Sequence, residues 1–401
     1  MKKILRSSNR KALIALAIGG FGIGMTEFVI MGILPDVAAA LNISIPMAGH
    51  FIAAYALGVV VGAPLLTTMG SKLHSHRMLL LLMLWFTIFN SLSAFAGNYW
   101  TLLVLRFLSG LPHGAFLGIG AVVAGKLSKE GKAARAIATM LAGLTIANVI
   151  GVPLGTYFGH NYHWSVAFLI VGIVGILAMA GVYFWMPQMK SSSTGSFAQD
   201  MVVFKQPRFW ALILLTMIGT GGFFAWYSYI APLITEVAGH PENVVSYAMV
   251  ITGFGMIAGN FLGARLAEKY ALMDAVLISL IMMVTALIAN AFLAEHKLAI
   301  LVMTFIIGMI GFSLATPLQM AIINASKGSE MIGSSMNHSA FNMGNASGAY
   351  FAGLPIAMGY GFTSADFVGA ILAGLGVLIT CIIILRNNPQ LLRQKFRWAA
   401  R

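Results

Sequence analysis

Two charged side chains, Glu27 and Arg106, stand deep inside long apolar runs of the sequence. Charges placed there are costly and usually functional. The proton affinity of a buried carboxyl is set by competition between desolvation and neighbouring cations. A Glu–Arg pair in apolar surroundings can therefore take up and release a proton as its surroundings change. The same pair can also be a permanent tie between two helices. Gly20, Gly24, Glu27 and Met31 follow helical spacing, as do Arg106, Gly110 and His113. Small-residue faces pack against other helices, so Glu27 is expected to point into a bundle.

Further polar groups inside apolar runs are Asn148, Gln319, Asn337, His338, Asn342 and Asn345. They are candidates for substrate contacts, or for simple bridges between helices. His113 and His338 could titrate near neutral pH, or be satisfied packing residues. The stretch GGFFAWYSYIAP supplies Trp226 and Tyr227 as candidate cavity residues, while Tyr229 suits an interfacial belt equally well. Gly151, Pro153 and Gly155 form a Gly-x-Pro-x-Gly run, which permits bending and close helix approach. No metal, nucleotide or catalytic motif appears, so no cofactor and no enzymatic activity are expected. GGFGIG at 19–24 mimics a dinucleotide fingerprint, but no strand precedes it.

The elements that must position these residues are membrane helices. Of 401 residues, 59% are hydrophobic and 9% charged, against about 25% charged in soluble proteins. Too few charges exist to coat a water-soluble fold, so the bilayer is the solvent. Twelve runs reach the length needed for a hydrocarbon core of about 30 Å. They cover 12–34, 47–69, 78–96, 101–123, 136–156, 165–186, 210–232, 245–267, 274–294, 298–322, 332–356 and 366–385. The first is read as a retained span, being long and interrupted by Glu27. One intramembrane acid is compatible with a stoichiometry of one proton.

The net charge of +13 follows the topology. With a cytoplasmic N-terminus, 22 of the 24 Lys and Arg residues fall on the cytoplasmic side, Lys297 on the other and Arg106 within a span. That asymmetry predicts both termini in the cytoplasm and removes the motive for nucleic-acid binding. The single cysteine, Cys381, can form no internal disulfide.

The spans divide six and six around a Ser-rich connection. The expected organisation is a bundle at 1–186, a linker at 187–209, a second bundle at 210–385 and a cytoplasmic tail at 386–401. The halves echo each other. Gly62 with Ser71-Lys72 matches Gly259 with Glu268-Lys269, Arg106–Gly110 matches Thr304–Gly308, and Gly151–Gly155 matches Gly344–Gly348. Two parallel six-helix repeats place a substrate site near the bilayer midplane between them.

These stretches resemble the major facilitator superfamily, its drug:proton antiporter branch and, within it, the arabinose-efflux (AraJ-type) exporters. MTEFVIMGILPDVAAAL, ALGVVVGAPLL, RFLSGLPHGAFLG, ANVIGVPLGTYF and FNMGNASGAYFAG carry the likeness. The resemblance implies an all-α fold of two pseudo-symmetric bundles, working as a monomer in a bacterial inner membrane. It implies export of sugars, sugar-like metabolites or drugs in exchange for protons; uptake by symport and a non-transporting sensor are the alternatives. It links Arg106 to proton coupling, Gly151, Pro153 and Gly155 to the antiporter motif, and Gly62, Ser71 and Lys72, with Glu268 and Lys269 in the second half, to conformational gating. The first-half gating motif departs from the family in carrying Ser71 where an aspartate is usual, and the antiporter motif lacks a glycine directly before Pro153.

Overall fold

A computed structural model describes residues 2–70, 73–128, 133–188, 201–327 and 330–387. Ser71 and Lys72, most of the linker and the tail beyond 387 lie outside the described residues. The described chain is built of helices. The twelve long ones are α1 (Lys2–Gly32), α2 (Ile45–Gly70), α3 (Ser75–Ser93), α4 (Tyr99–Leu127), α5 (Ala133–Ile146, continuing to Asn161), α6 (Trp164–Trp185), α7 (Pro207–Tyr227), α8 (Asn243–Lys269), α9 (Leu272–Leu293), α10 (Lys297–Ser313, continuing to Ala325), α11 (Glu330–Ala357) and α12 (Ser364–Asn387). Eleven are long and apolar enough to cross a bilayer, α11 being the exception. Its run of Asn337, His338, Asn342 and Asn345 lowers its hydropathy, because this helix turns a polar face inward. α1 starts ten residues earlier than the apolar run alone indicates.

Local irregularities follow from sequence. Asn98 caps α4, its side-chain oxygen accepting from the Thr101 N–H at 2.9 Å. α5 passes through a π turn, Ala147–Gly151, immediately before Pro153, whose missing N–H cannot serve the regular ladder. After α1 a two-turn helix, Leu34–Leu41, ends at Asn42 in the left-handed conformation (φ 52°). α1 begins and α12 ends on one face, termed the termini face below.

The packing repeats. In the first bundle α1 lies against α5 and α6, α2 against α4, and α3 against α4 and α6; in the second, α7 lies against α11 and α12, α8 against α10, and α9 against α10 and α12. The closest approaches are made by glycine. A Cβ on Gly58 or Gly62 would stand 2.1 or 2.0 Å from the carbonyl oxygens of Phe107 and Leu111. A Cβ on Gly255 or Gly259 would meet the carbonyl oxygens of Phe305 and Met309 at 2.4 and 2.1 Å. Bundle joins bundle along α2–α11 and α5–α8. Outward-facing side chains such as Phe184, Phe261 and Ile371 are apolar and exposed, as lipid contact demands.

One apolar core runs the height of the second bundle, from Phe209 and Ile383 upward, and crosses to the first on the face opposite the termini, where Val29, Phe51 and Phe168 belong to it with Tyr227 and Met249. A separate core, with Leu16, Phe116 and Met140, serves the termini side of the first bundle alone. The bundles are thus sealed together at the far face.

Because carbonyl oxygens cannot retreat from an added methyl, Gly62→Ala and Gly259→Ala are each expected to cost about 1–3 kcal/mol. Gly374, with nothing within 4 Å of its would-be Cβ, is the control: Gly374→Ala should unfold like wild type. Thermal unfolding in detergent reads the difference.

Candidate functional site

Arg106 is fully buried in α4. Its Nη1 donates to the Thr26 hydroxyl at 3.0 Å and its Nη2 to the Thr26 carbonyl at 3.1 Å. The Thr26 hydroxyl donates in turn to the Asn90 side-chain oxygen, and the Asn90 amide donates to the Phe86 carbonyl at 2.8 Å. The guanidinium lies 4.4 Å from the centre of the Tyr55 ring and 5.5 Å from that of Phe168, close enough for attraction between cation and ring face. Its Nε–H has no hydrogen-bond partner.

Glu27 follows Thr26 in α1 and is 3% exposed. The charge of Arg106 reaches it, and Asn345 of α11 approaches it from the other bundle. No contact within 4.0 Å joins Glu27 to Arg106; among the described residues the one such basic–acidic contact is that of His160 with Asp36. Glu27 Oε1 has no hydrogen-bond partner. The arrangement is therefore not the fixed ion pair that the sequence leaves open. The Nη groups of Arg106 are held by Thr26, and the carboxyl keeps one oxygen without a partner.

A cavity of about 600 Å³ opens from Glu27 and Phe28 toward the termini face. Its wall reaches Val122, Ile137, Ile323 and Ser335, near the termini-side ends of α4, α5, α10 and α11. The lining is chiefly apolar, with polar groups from both bundles: Glu27, His113 and Asn148 on one side, Gln319, Asn337, His338 and Asn342 on the other. His113 Nδ1 lies 3.0 Å from the Tyr55 hydroxyl, and His113 and His338 face each other across the gap closely enough to interact electrostatically. Asn337 donates to the Gln319 side-chain oxygen and accepts from Thr216 at 3.2 Å. Asn148 and Asn342 spend their amide donors on the Leu144 and His338 carbonyls and keep unpartnered oxygens.

Trp226 and Tyr227 do not line this cavity, contrary to the expectation from their sequence. Both are fully buried and stacked on each other; Tyr227 also stacks on Phe223, while the Trp226 ring is tilted against Phe223. Tyr227 also packs against Phe28, with ring centres 5.9 Å apart. Their face of α7 closes the far side instead. Tyr229 is likewise internal, donating to the Ala349 carbonyl at 3.0 Å, and so is no interfacial anchor. Gly151 and Gly155 press α5 onto Phe21, Met25 and Val29 of α1, while a Cβ on Gly253 would meet the Asn148 carbonyl at 2.7 Å. The Gly-Pro segment therefore sits where α1, α5 and α8 converge. Gly62 packs α2 on α4; Glu268 is exposed, and Lys269 lies 5.3 Å from the centre of the Tyr270 ring.

Sequence reasoning passed over Tyr55, Thr26 and Asn90. Tyr55 precedes Gly58 and Gly62 by three and seven residues, on the face that meets α4, and that register is the signal for it. It also passed over Asp366, in the first turn of α12. This carboxyl is fully buried, accepts from Asn290 at 2.9 Å and keeps an unpartnered Oδ2. It is absent from the cavity wall.

The model of the family described as the Major Facilitator Superfamily matches residues 16–337. The chain is 37% identical to the "Putative transporter AraJ" of Escherichia coli (strain K12) over 91% of this chain and 92% of that one. It is 38% identical to the "Inner membrane transport protein YdhP" of the same strain, over 94% and 97%. Its fold is similar to that of a D-xylose-proton symporter (TM-score 0.76, 14% identity, covering 92% and 96%). Twelve helices in two repeated bundles around one cavity are thus matched by likeness over nearly the whole chain, and the protein belongs to the Major Facilitator Superfamily as a multi-pass membrane transporter, not an enzyme.

Proposed function

We propose that this transporter exports small organic molecules in exchange for protons, by alternating access of two bundles, 1–186 and 210–385, about the linker 187–209. The observation that carries this reading is the Glu27 carboxyl: buried, unpaired, one oxygen without a partner, and in the wall of the cavity between the bundles. A substrate entering the cavity and a proton on Glu27 would compete for the same oxygen. Arg106, fixed by Thr26 and Tyr55, supplies a constant field against which that competition plays. The unpartnered oxygens of Asn148 and Asn342 favour a substrate with hydrogen-bond donors, which suits sugars, sugar-like metabolites and amine-bearing drugs. A volume near 600 Å³ lies within the range of small-molecule sites.

The basic residues crowd the termini face, so that face is cytoplasmic by the positive-inside rule. The far-side seal and the cavity on the termini side then correspond to the inward-facing state. A bacterial inner membrane and a monomer complete the proposal.

Proteoliposomes under an imposed pH gradient, offered labelled pentoses and lipophilic amines, test it. Wild type should drive substrate uphill with proton flow in the opposite direction; Glu27→Gln should remain folded and lose uphill transport entirely. Co-directional flow would establish symport instead, and uphill transport by Glu27→Gln would remove this carboxyl from coupling.

Arg106 and Tyr55 separate field from scaffold. Arg106→Ala removes two hydrogen bonds to Thr26 and empties the space over the Tyr55 ring, so a loss of about 2–4 kcal/mol is expected. Tyr55→Phe keeps the ring and loses only the bond to His113, about 1 kcal/mol. Thermal unfolding of the two variants checks this ranking.

A further inference from the structure

A second polar cluster lies on the far face, away from the cavity. Asp36 belongs to the short helix after α1, His160 to the last turn of α5, and Glu242 immediately precedes α8. His160 Nδ1 stands 2.8 Å from Asp36 Oδ2, with the histidine side chain only 5% exposed. Both ring nitrogens of His160 and Oδ2 of Asp36 are buried, and none of them makes a hydrogen bond of regular geometry. One potential ligand atom from each of the three residues lies within 4.8 Å of the others.

We infer that Asp36, His160 and Glu242 form a binding site for a divalent transition-metal cation of the zinc type, which bridges the two bundles at their sealed face. The donor set is one imidazole nitrogen and two carboxylates, a combination that suits zinc; magnesium demands an octahedron of oxygens and keeps much of its water. Tetrahedral zinc bonds of about 2.0–2.2 Å require the close His160–Asp36 pair to ease apart and Glu242 to draw in, which its exposure allows. Three protein ligands leave a fourth position to water.

The placement gives the site a consequence. Asp36 and His160 come from the first bundle and Glu242 from the second, so a cation held by all three ties the bundles together where they must part for the far side to open. Occupancy stabilises the far-side-closed state by its preferential binding there. Other cross-bundle contacts among the described residues include Phe28 on Phe224 and His50 beside Tyr350. Metal binding here is independent of which substrate is carried or in which direction.

Thermal unfolding of the purified full-length protein in detergent, titrated with zinc chloride or magnesium chloride, tests it. Wild type should show a saturable rise in melting temperature with zinc chloride and none with magnesium chloride. Glu242→Gln leaves the His160–Asp36 contact intact and should match wild type without metal. Its apparent zinc affinity should fall by roughly tenfold or more, and His160→Gln should lose the response. No zinc-induced shift in wild type, or an unchanged zinc response in Glu242→Gln, overturns the bridging site.

Discussion

The burial of Arg106 with no anion within 4 Å is the constraint around which the first bundle is arranged. A guanidinium in apolar surroundings must have its N–H groups and its charge satisfied locally. Here the work falls to a helix carbonyl, a threonine hydroxyl and the face of an aromatic ring. These come from α1 and α2, so Arg106 fixes α4 against both. Asn90 extends the network to α3 through the same Thr26 hydroxyl. Since neutral groups already hold the cation, the carboxyl next to Thr26 is not consumed as its counter-ion. The acid faces the cavity without a direct contact to the arginine, whose Nη groups are held by Thr26.

The second bundle repeats the backbone plan and carries no counterpart of Glu27 or Arg106 at the cavity; its buried carboxyl, Asp366, lies away from the cavity wall. Gly58 and Gly62 against α4 correspond to Gly255 and Gly259 against α10, with carbonyl oxygens closing each contact in the same register. Thr304 stands where the first bundle has Arg106, and its hydroxyl donates to its own helix at Leu301. The second bundle instead supplies neutral amides and His338 from α11 and Gln319 from α10. The first half supplies Glu27 and Arg106 and the second a polar wall facing them, within a shared scaffold of glycine contacts. Small residues let the helices approach closely where lipid provides no hydrophobic drive.

The fold was largely legible in the sequence, because lipid forces a simple pattern of long apolar runs separated by basic or polar loops. The weakest passage by hydropathy, α11, could still be read from its Gly344–Gly348 echo of Gly151–Gly155. The positions of Glu27, Asn148 and the α10–α11 amides on one cavity also followed from polar residues recurring inside apolar helices. Three features were hidden. Tyr55 looks like ordinary apolar filler until its register with Gly58 and Gly62 is considered. The side of α7 that Trp226 and Tyr227 occupy depends on packing against Phe28, which no local pattern reveals. Asp366 stands at a span boundary in the sequence, where charges are unremarkable, yet it is buried between α9 and α12 at a helix N-terminus, which favours an anion there.

The central claim is that Glu27 exchanges a proton while the protein remains folded. Infrared difference spectroscopy of the reconstituted protein across a pH step observes protonated carboxyl groups directly. The account predicts a carboxyl stretch that appears and disappears in wild type and in Asp366→Asn, and is missing in Glu27→Gln. A titrating carboxyl band of unchanged intensity in Glu27→Gln would contradict it.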